Sequence, residues 1–161
     1  RHPHIYGEYK ANNAQEVSEM WEQVKLKEKG GNKTVLAGIP ESLPALVKAY
    51  RIQDKVANVG FDWEKREDVW AKVKEEIAEY EVEVEHMDAE KATEEMGDLL
   101  FALVNAARLY NIRPDNALEK TNAKFIKRFN YIEQKAKEKG QSLNEMTLDE
   151  MEALWQEAKK A

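Results

Sequence analysis

An all-α fold is predicted by three features of this sequence: few helix breakers, apolar residues at helical spacing, and helix-capping motifs. Only seven Gly and four Pro occur among 161 residues, too few for a fold with many strands and turns. Apolar residues make up 42% and charged residues 35%, which permits a buried core beneath an ionic surface. The longest apolar run, residues 99–104, is far shorter than the roughly 20 residues of a membrane-spanning helix.

Six helices are predicted, and most of them are bounded by capping or breaking residues. A capping box at Asn13–Glu16 opens the first and Gly30 stops it, Pro114 opens the fifth, and a second capping box at Thr147–Glu150 opens the sixth. The predicted ranges are about 13–30, 42–60, 68–86, 88–111, 114–140 and a short helix from 147.

Two of these helices have distinctive apolar patterns. The third has an apolar stripe in steps of three and four, which is typical of a coiled-coil seam. Its members are Trp70, Val73, Ile77, Tyr80 and Val84. The fourth is apolar nearly all round over residues 99–107, so we expect it to be buried.

A weak internal repeat bears on domain organisation. Residues 16–25 and 150–159 share a pattern of Glu, two apolar positions and Trp. Amphipathic helices often resemble one another by chance, so the pattern alone leaves its meaning open. The sharper interpretation is that residues 1–40 are the tail of a preceding homologous domain plus a linker, and that residues 41–161 form a second domain.

Net charge and cysteine content exclude several classes of function. The formal net charge is −6 and the isoelectric point is about 5.3, which argues against a nucleic-acid polymer or an anionic membrane as partner. The absence of cysteine excludes disulfides, thiolate zinc sites and a cysteine nucleophile. No signal or transit peptide is recognisable, and we expect a cytoplasmic protein.

Charge is unevenly distributed along the chain. Residues 64–98 contain 14 acidic and five basic residues, whereas residues 120–139 contain seven basic and two acidic ones. An acidic hairpin and a basic helix are what a metal-bound polyphosphate would need. Two solvated helix faces are the simpler alternative.

Two pairs of acidic residues have the spacing of metal ligands. Glu76 and Glu79 on the third helix, and Glu95 and Asp98 on the fourth, are each three residues apart and therefore share a helix face. If the two helices pack antiparallel, four carboxylates surround one point. Oxygen ligands without His or Cys favour Mg²⁺ or Mn²⁺ over zinc, although a surface pattern of acids remains the alternative.

These acids also carry a resemblance to a known family. Glu75-Glu76-x-x-Glu79 followed after fifteen residues by Glu95-x-x-Asp98 resembles the EExxE…ExxD signature of the all-α nucleoside triphosphate pyrophosphohydrolases. Within that group the MazG family is the most similar, specifically the C-terminal of its two tandem domains. The likeness covers nearly the whole chain and includes residues 58–63, 94–101 and 122–129. On this resemblance, residues 41–161 are a MazG-type catalytic domain.

The resemblance implies a reaction and a set of metal ligands. The reaction is Mg²⁺-dependent hydrolysis of nucleoside triphosphates at the α–β phosphate bond, which yields the monophosphate and pyrophosphate with broad base specificity. Mn²⁺ is the expected substitute for Mg²⁺. The implied ligands are Glu76, Glu79, Glu95 and Asp98, and Glu79 is also counted with Glu75 as catalytic. Glu75 is expected to be an auxiliary acid or to orient the attacking water.

The resemblance also implies a substrate-binding set and a homodimer. Lys124 and Arg128, with Asn122 close by, are expected to hold phosphate oxygens, and Trp63 is expected to stack on the base. Lys55 is a weaker candidate for a substrate contact. From the residues alone, the basic side chains could form a solvated face and Trp63 could be a core residue. A helical bundle completed by dimerisation is the expected architecture.

Two alternatives stay open at this stage. One is a narrow-specificity relative with the same signature, such as a dCTP or dUTP pyrophosphatase or a phosphoribosyl-ATP pyrophosphohydrolase. The other is a non-catalytic helical dimerisation module. A degenerate module should have lost acids from the signature, and all five are present.

Overall fold

The protein is all-α in the part of the chain that the structure, a computed structural model, describes. That part comprises Trp21, residues 34–86 and residues 88–161, and it contains no β-strand. The predicted first helix and residues 30–33 of the predicted linker lie outside it, apart from Trp21. The helices are α1 (Ala45–Ala57), α2 (Val69–Glu85), α3 (Ala89–Leu109), α4 (Pro114–Glu138) and α5 (Leu148–Lys160), with short 3₁₀ helices at Arg66–Asp68 and Leu143–Glu145.

The helices end close to the predicted residues, and the end of α1 shows why the prediction was too long there. Gly60 lies in the left-handed region at φ 98°. Its N–H donates to the carbonyl of Ala57, and the N–H of Phe61 donates to the carbonyl of Val56 at 2.9 Å. This pair of bonds is a Schellman turn, which stops the helix before its glycine and turns the chain away.

The first of two compact units ends at Pro114, and its core lies between α2 and α3. Val69 and Val73 of α2 pack with Ala102 and Ala106 of α3, and all four are buried. Because alanine side chains are short, the two helices can approach closely along this line. A connection of only a few residues joins the helices into a hairpin.

The structure corrects two expectations about burial in this hairpin. In the predicted stripe of α2, Val73 is buried, but Trp70, Ile77 and Val84 are each more than a third exposed. Helix α3 is not buried all round, since Leu100, Phe101 and Leu103 of the apolar stretch are exposed, whereas Val104 is buried. The small residues Ala102 and Ala106 pack against Val69 and Val73 of α2, with Leu99 and Leu109 beside them.

The second unit, Asp115–Ala161, has a core of its own. Ile132 and Ala136 of α4 pack with Met146 and with Leu154 of α5. Thr147 and Glu150 form the predicted capping box at the start of α5. No helix in the described part of the chain is both long enough and apolar enough to cross a membrane.

Truncation of the α2–α3 core should cost far more stability than the same change on the exposed face of α2. We expect Val73→Ala to lower the free energy of unfolding by about 2 kcal/mol, because it leaves a void between the helices. Val82→Ala, at a position that is 48% exposed, serves as the matched control and should change it by less than about 0.5 kcal/mol. Equal losses in chemical denaturation would contradict this placement of the core.

Candidate functional site

Three carboxylates converge where α2 and α3 pair. Glu76 and Glu79 lie one turn apart on α2, and Glu95 faces them from α3. One oxygen of each lies within 4.8 Å of one oxygen of each of the others. Glu76 is buried, Glu95 is half-buried and Glu79 is exposed, so the cluster runs from the core to the surface. The geometry provides three oxygen donors around a point, the arrangement that a hard divalent cation requires.

Lys72 is the positive group next to this cluster. Its Nζ lies 3.0 Å from Oε1 of Glu76 and 3.4 Å from Oε2 of Glu75. The hydrogen bond to Glu76 is the largest cause of a raised pKa at Lys72, which burial opposes and Glu75 reinforces. Glu75 is exposed and lies beside the three-carboxylate cluster rather than within it.

One lysine does not satisfy the cluster. Oε2 of Glu76 and Oε2 of Glu95 are buried and have no hydrogen-bond partner. The pKa of Glu79 is raised, first by the charge of Glu76 and then by desolvation and the charges of Glu95 and Glu75. Buried unpaired oxygens and mutual repulsion both raise the free energy of the cluster, and a bound cation would relieve both.

Asp98, the fourth expected ligand, is not one of the three converging carboxylates. It is exposed and lies one turn beyond Glu95, where it lines a cavity together with Glu76 and Lys72. Ala102 and Asn105, one and two turns beyond Asp98 on α3, line the same cavity. Asp98 therefore faces the cavity at the border of the cluster.

The cavity has a volume of about 650 Å³, and its wall has an acidic part and an aromatic part. Glu76, Lys72 and Asp98 form the polar part of its lining. The aromatic part consists of Phe61, Trp63 and Phe101, and α1 contributes the side chains of Ile52, Gln53 and Val56. A molecule with a charged part and a flat apolar part matches this division of the walls.

The Schellman turn at Gly60 brings the aromatic segment to the cavity. The chain leaves α1 there and runs along the cavity through Phe61, Asp62 and Trp63. Trp63 is 38% exposed, which is unusual for a core residue of its size. Trp63 is therefore not a fully buried core residue, and it forms part of the cavity wall.

The remaining predicted substrate residues lie on α1 and α4. Lys55 is half-buried in the last turn of α1 and does not line the cavity. Asn122, Lys124 and Arg128 lie on α4 in the second unit, where the first two are exposed. The guanidinium of Arg128 lies 5.3 Å from the ring centroid of Trp155, so part of its surface stacks on an aromatic face.

Sequence reasoning missed four polar residues of the cavity wall: Lys72, Gln53, Asn105 and Arg108. The spacing of four residues between Lys72 and Glu76 was a signal for an ion pair that could have been used. Gln53 is buried and donates through Nε2 to the carbonyl oxygen of Phe101 at 2.9 Å, a contact 48 residues away in sequence. No local sequence pattern predicts that hydrogen bond.

Comparison with known proteins identifies the acidic hairpin. Residues 64–132 match the MazG nucleotide pyrophosphohydrolase domain, and they include all five acids of the signature. This part of the chain belongs to the MazG family. The MazG domain takes in α2 and α3 whole and most of α4, so the three-carboxylate cluster and Asp98 fall within it.

Curated relatives of the MazG domain are similar over 99% of this chain. It is 43% identical over 164 residues to the nucleoside triphosphate pyrophosphohydrolase of Escherichia coli K12. It is 38% identical over 160 residues to the nucleoside triphosphate pyrophosphohydrolase/pyrophosphatase MazG of Thermotoga maritima. A third relative is the Bacillus subtilis protein YabN, at 47% identity over 164 residues. The chain spans 62%, 60% and 33% of these relatives respectively.

Removing the charge of Glu79 should stabilise the metal-free protein at neutral pH. The folded state raises the pKa of Glu79, so it binds a proton more tightly than the unfolded chain does, and stability falls as pH rises through that pKa. We expect the thermal midpoint of Glu79→Gln in EDTA to exceed that of the wild type at pH 7. The difference should close near pH 4, where the wild-type carboxyl is protonated.

Exposed Glu81 on the same helix is the matched control, and Glu81→Gln should show no comparable pH-dependent gain. A Glu79→Gln variant that is less stable than the wild type at pH 7 would contradict the repulsion described here.

Proposed function

We propose that this protein hydrolyses nucleoside triphosphates at the α–β phosphate bond and releases the monophosphate and pyrophosphate in a Mg²⁺-dependent reaction. The observation that carries the proposal is the convergence of Glu76, Glu79 and Glu95, because Glu76 also lines a cavity whose wall includes aromatic side chains. Two of the relatives are named nucleoside triphosphate pyrophosphohydrolases, which supports the same reaction class.

The donor set supports a Mg²⁺ site. All groups in the cluster are carboxylates, two of their buried oxygens are without partners, and the sequence contains no cysteine. We propose that Glu76, Glu79, Glu95 and Asp98 hold the ion, and that Mn²⁺ can replace it. A bound Mg²⁺ would neutralise phosphate charge and lower the pKa of water in the site.

The protein's own residues supply orientation and proton transfer. Glu75 and Glu79 are the exposed acids of the signature on α2, so water can reach both. We propose that Glu75 orients the attacking water and accepts its proton, and that Glu79 takes part in the same step as a metal ligand. Lys72 keeps Glu75 and Glu76 in place through its two ion pairs.

Broad base specificity is proposed because the base would stack on the aromatic part of the cavity wall. Stacking on Trp63 is tolerant because every base has a flat face. Lys124, Arg128 and Asn122 of α4 are proposed to bind phosphate oxygens, supported by the excess of basic residues on that helix. Lys55 keeps a lesser proposed role near the substrate. The narrow-specificity alternative is left to a comparison of nucleotides.

A homodimer is the proposed assembly. Apolar side chains are exposed on both helices of the hairpin, including Trp70, Ile77, Leu100 and Leu103. A second copy of the chain could cover them, because a two-fold interface places the same face on both sides. In light scattering we expect about twice the chain mass of 18.6 kDa. A concentration-independent monomer would contradict the proposal.

Loss of a proposed metal ligand should nearly abolish pyrophosphate release. We expect Glu79→Gln and Asp98→Asn to lower kcat/KM for ATP by about 100-fold or more, since each removes a ligand that balances charge in the transition state. Glu81→Gln, an exposed acid on the same helix, should stay within about twofold of the wild type. Pyrophosphate and AMP are measured together in the presence of Mg²⁺.

Release of orthophosphate instead of pyrophosphate would contradict cleavage at the α–β bond. A wild-type chain that binds Mg²⁺ but hydrolyses no triphosphate would favour the non-catalytic alternative. Hydrolysis confined to one base or sugar, in a panel of ribonucleoside and deoxyribonucleoside triphosphates, would favour a narrow-specificity enzyme.

A further inference from the structure

Arg108 connects two parts of the cavity wall that lie far apart in the sequence. It stands near the end of α3, and its side chain is only 10% exposed. Nη1 and Nη2 donate to the two carboxylate oxygens of Asp62, at 3.3 and 2.5 Å. Nε and Nη2 also donate to Oδ1 of Asn105, at 3.0 and 2.9 Å. All three nitrogens of the guanidinium are thus engaged by the protein itself.

Asp62 passes this restraint on to the aromatic segment. Its Oδ1 accepts a hydrogen bond from the backbone N–H of Trp63 at 2.8 Å, in addition to the one from Arg108. The Schellman turn holds the segment at Phe61, one residue earlier. The position of Trp63 therefore depends on a carboxylate that is itself fixed to α3 by a bidentate, charge-assisted contact.

Asn105 is oriented by the same guanidinium. Because Oδ1 accepts two hydrogen bonds from Arg108, the amide cannot turn over without losing both. The Nδ2 group is then what Asn105 can offer to a ligand in the cavity that it lines. A donor at this wall suits an acceptor atom on a base or sugar.

We propose that Arg108 is a positioning residue for nucleobase binding, which holds Trp63 in the aromatic part of the cavity wall and sets the orientation of Asn105. This inference rests on the proposed function, since it assigns the aromatic part of the wall to the base of the nucleotide. Arg108 is not proposed to bind the phosphates, because four of its five N–H donors are used within the protein. Its effect on the reaction is exerted through Asp62, Trp63 and Asn105.

The test compares binding of two probes in Mg²⁺ by calorimetry: an ATP analogue with a methylene group between the α and β phosphorus atoms, and inorganic tripolyphosphate. We expect Arg108→Gln to weaken binding of the analogue about tenfold, a typical loss for one base stack, and binding of tripolyphosphate less than about twofold. Arg108→Lys, which keeps the charge but can hold only one partner well, should lie between the wild type and Arg108→Gln.

A double-mutant cycle separates positioning from a general loss of structure. If Arg108 acts through Trp63, the variant Arg108→Gln/Trp63→Ala should bind the analogue no more than about twofold more weakly than Trp63→Ala alone. Asp62→Asn removes the charge that pairs with Arg108, at a residue outside the helices. It should reproduce the effect of Arg108→Gln, and it serves as the test if Arg108→Gln folds poorly. Arg51→Gln, at an exposed arginine on α1 that does not line the cavity, is the control.

Multiplicative losses in the cycle, an equal loss for tripolyphosphate, or unchanged affinity in both Arg108→Gln and Asp62→Asn would overturn the inference. A wild-type protein that binds no analogue would overturn it as well. The proposed function is judged separately, on pyrophosphate release from ATP by the wild type. If the wild type releases pyrophosphate but the variants bind the analogue as tightly as the wild type does, only the positioning role is refuted.

Discussion

The close packing of α2 on α3 forces three like charges together, and the rest of the site is arranged around that fact. Val73 and Ala102 pack in the core between the helices. This contact sets the register of the two helices, in which Glu76 lies next to Glu95. Repulsion among carboxylates at this distance is unfavourable in a partly desolvated place. Lys72 offsets part of it from within the chain. Oε2 of Glu76 and Oε2 of Glu95 have no hydrogen-bond partner, so their remaining repulsion and desolvation would be offset by a bound cation.

The cavity extends this constraint from charge to shape. Its acidic part is built on two helices whose backbone is fixed by mutual packing, whereas Phe61 and Trp63 of its aromatic part lie in a segment without regular structure between α1 and α2. Rigid helices suit a metal site, which needs fixed distances between donors. An irregular segment needs outside support to hold a ring in place, and Arg108 supplies that support from α3.

Much of the fold and the acid pairs could be predicted from sequence because both depend on local periodicity. Helical spacing gave Glu76 with Glu79 and Glu95 with Asp98, and their convergence followed only on the condition that the two helices pack antiparallel. Local spacing does not fix the direction of each side chain, so the separate position of Asp98 was not foreseen. The bonds of Gln53 to Phe101 and of Arg108 to Asp62 join residues 48 and 46 positions apart, and no periodic pattern encodes them.

The central claim, that the converging carboxylates are a divalent-cation site, is tested most directly by locating the ion. Crystals soaked in Mn²⁺ give anomalous diffraction from the metal, which identifies its position independently of any activity. Our account predicts a peak among Glu76, Glu79 and Glu95 at about 2.0–2.4 Å from their oxygens, with Asp98 turned toward it. A peak elsewhere, or none in a crystal at saturating Mn²⁺, would contradict it.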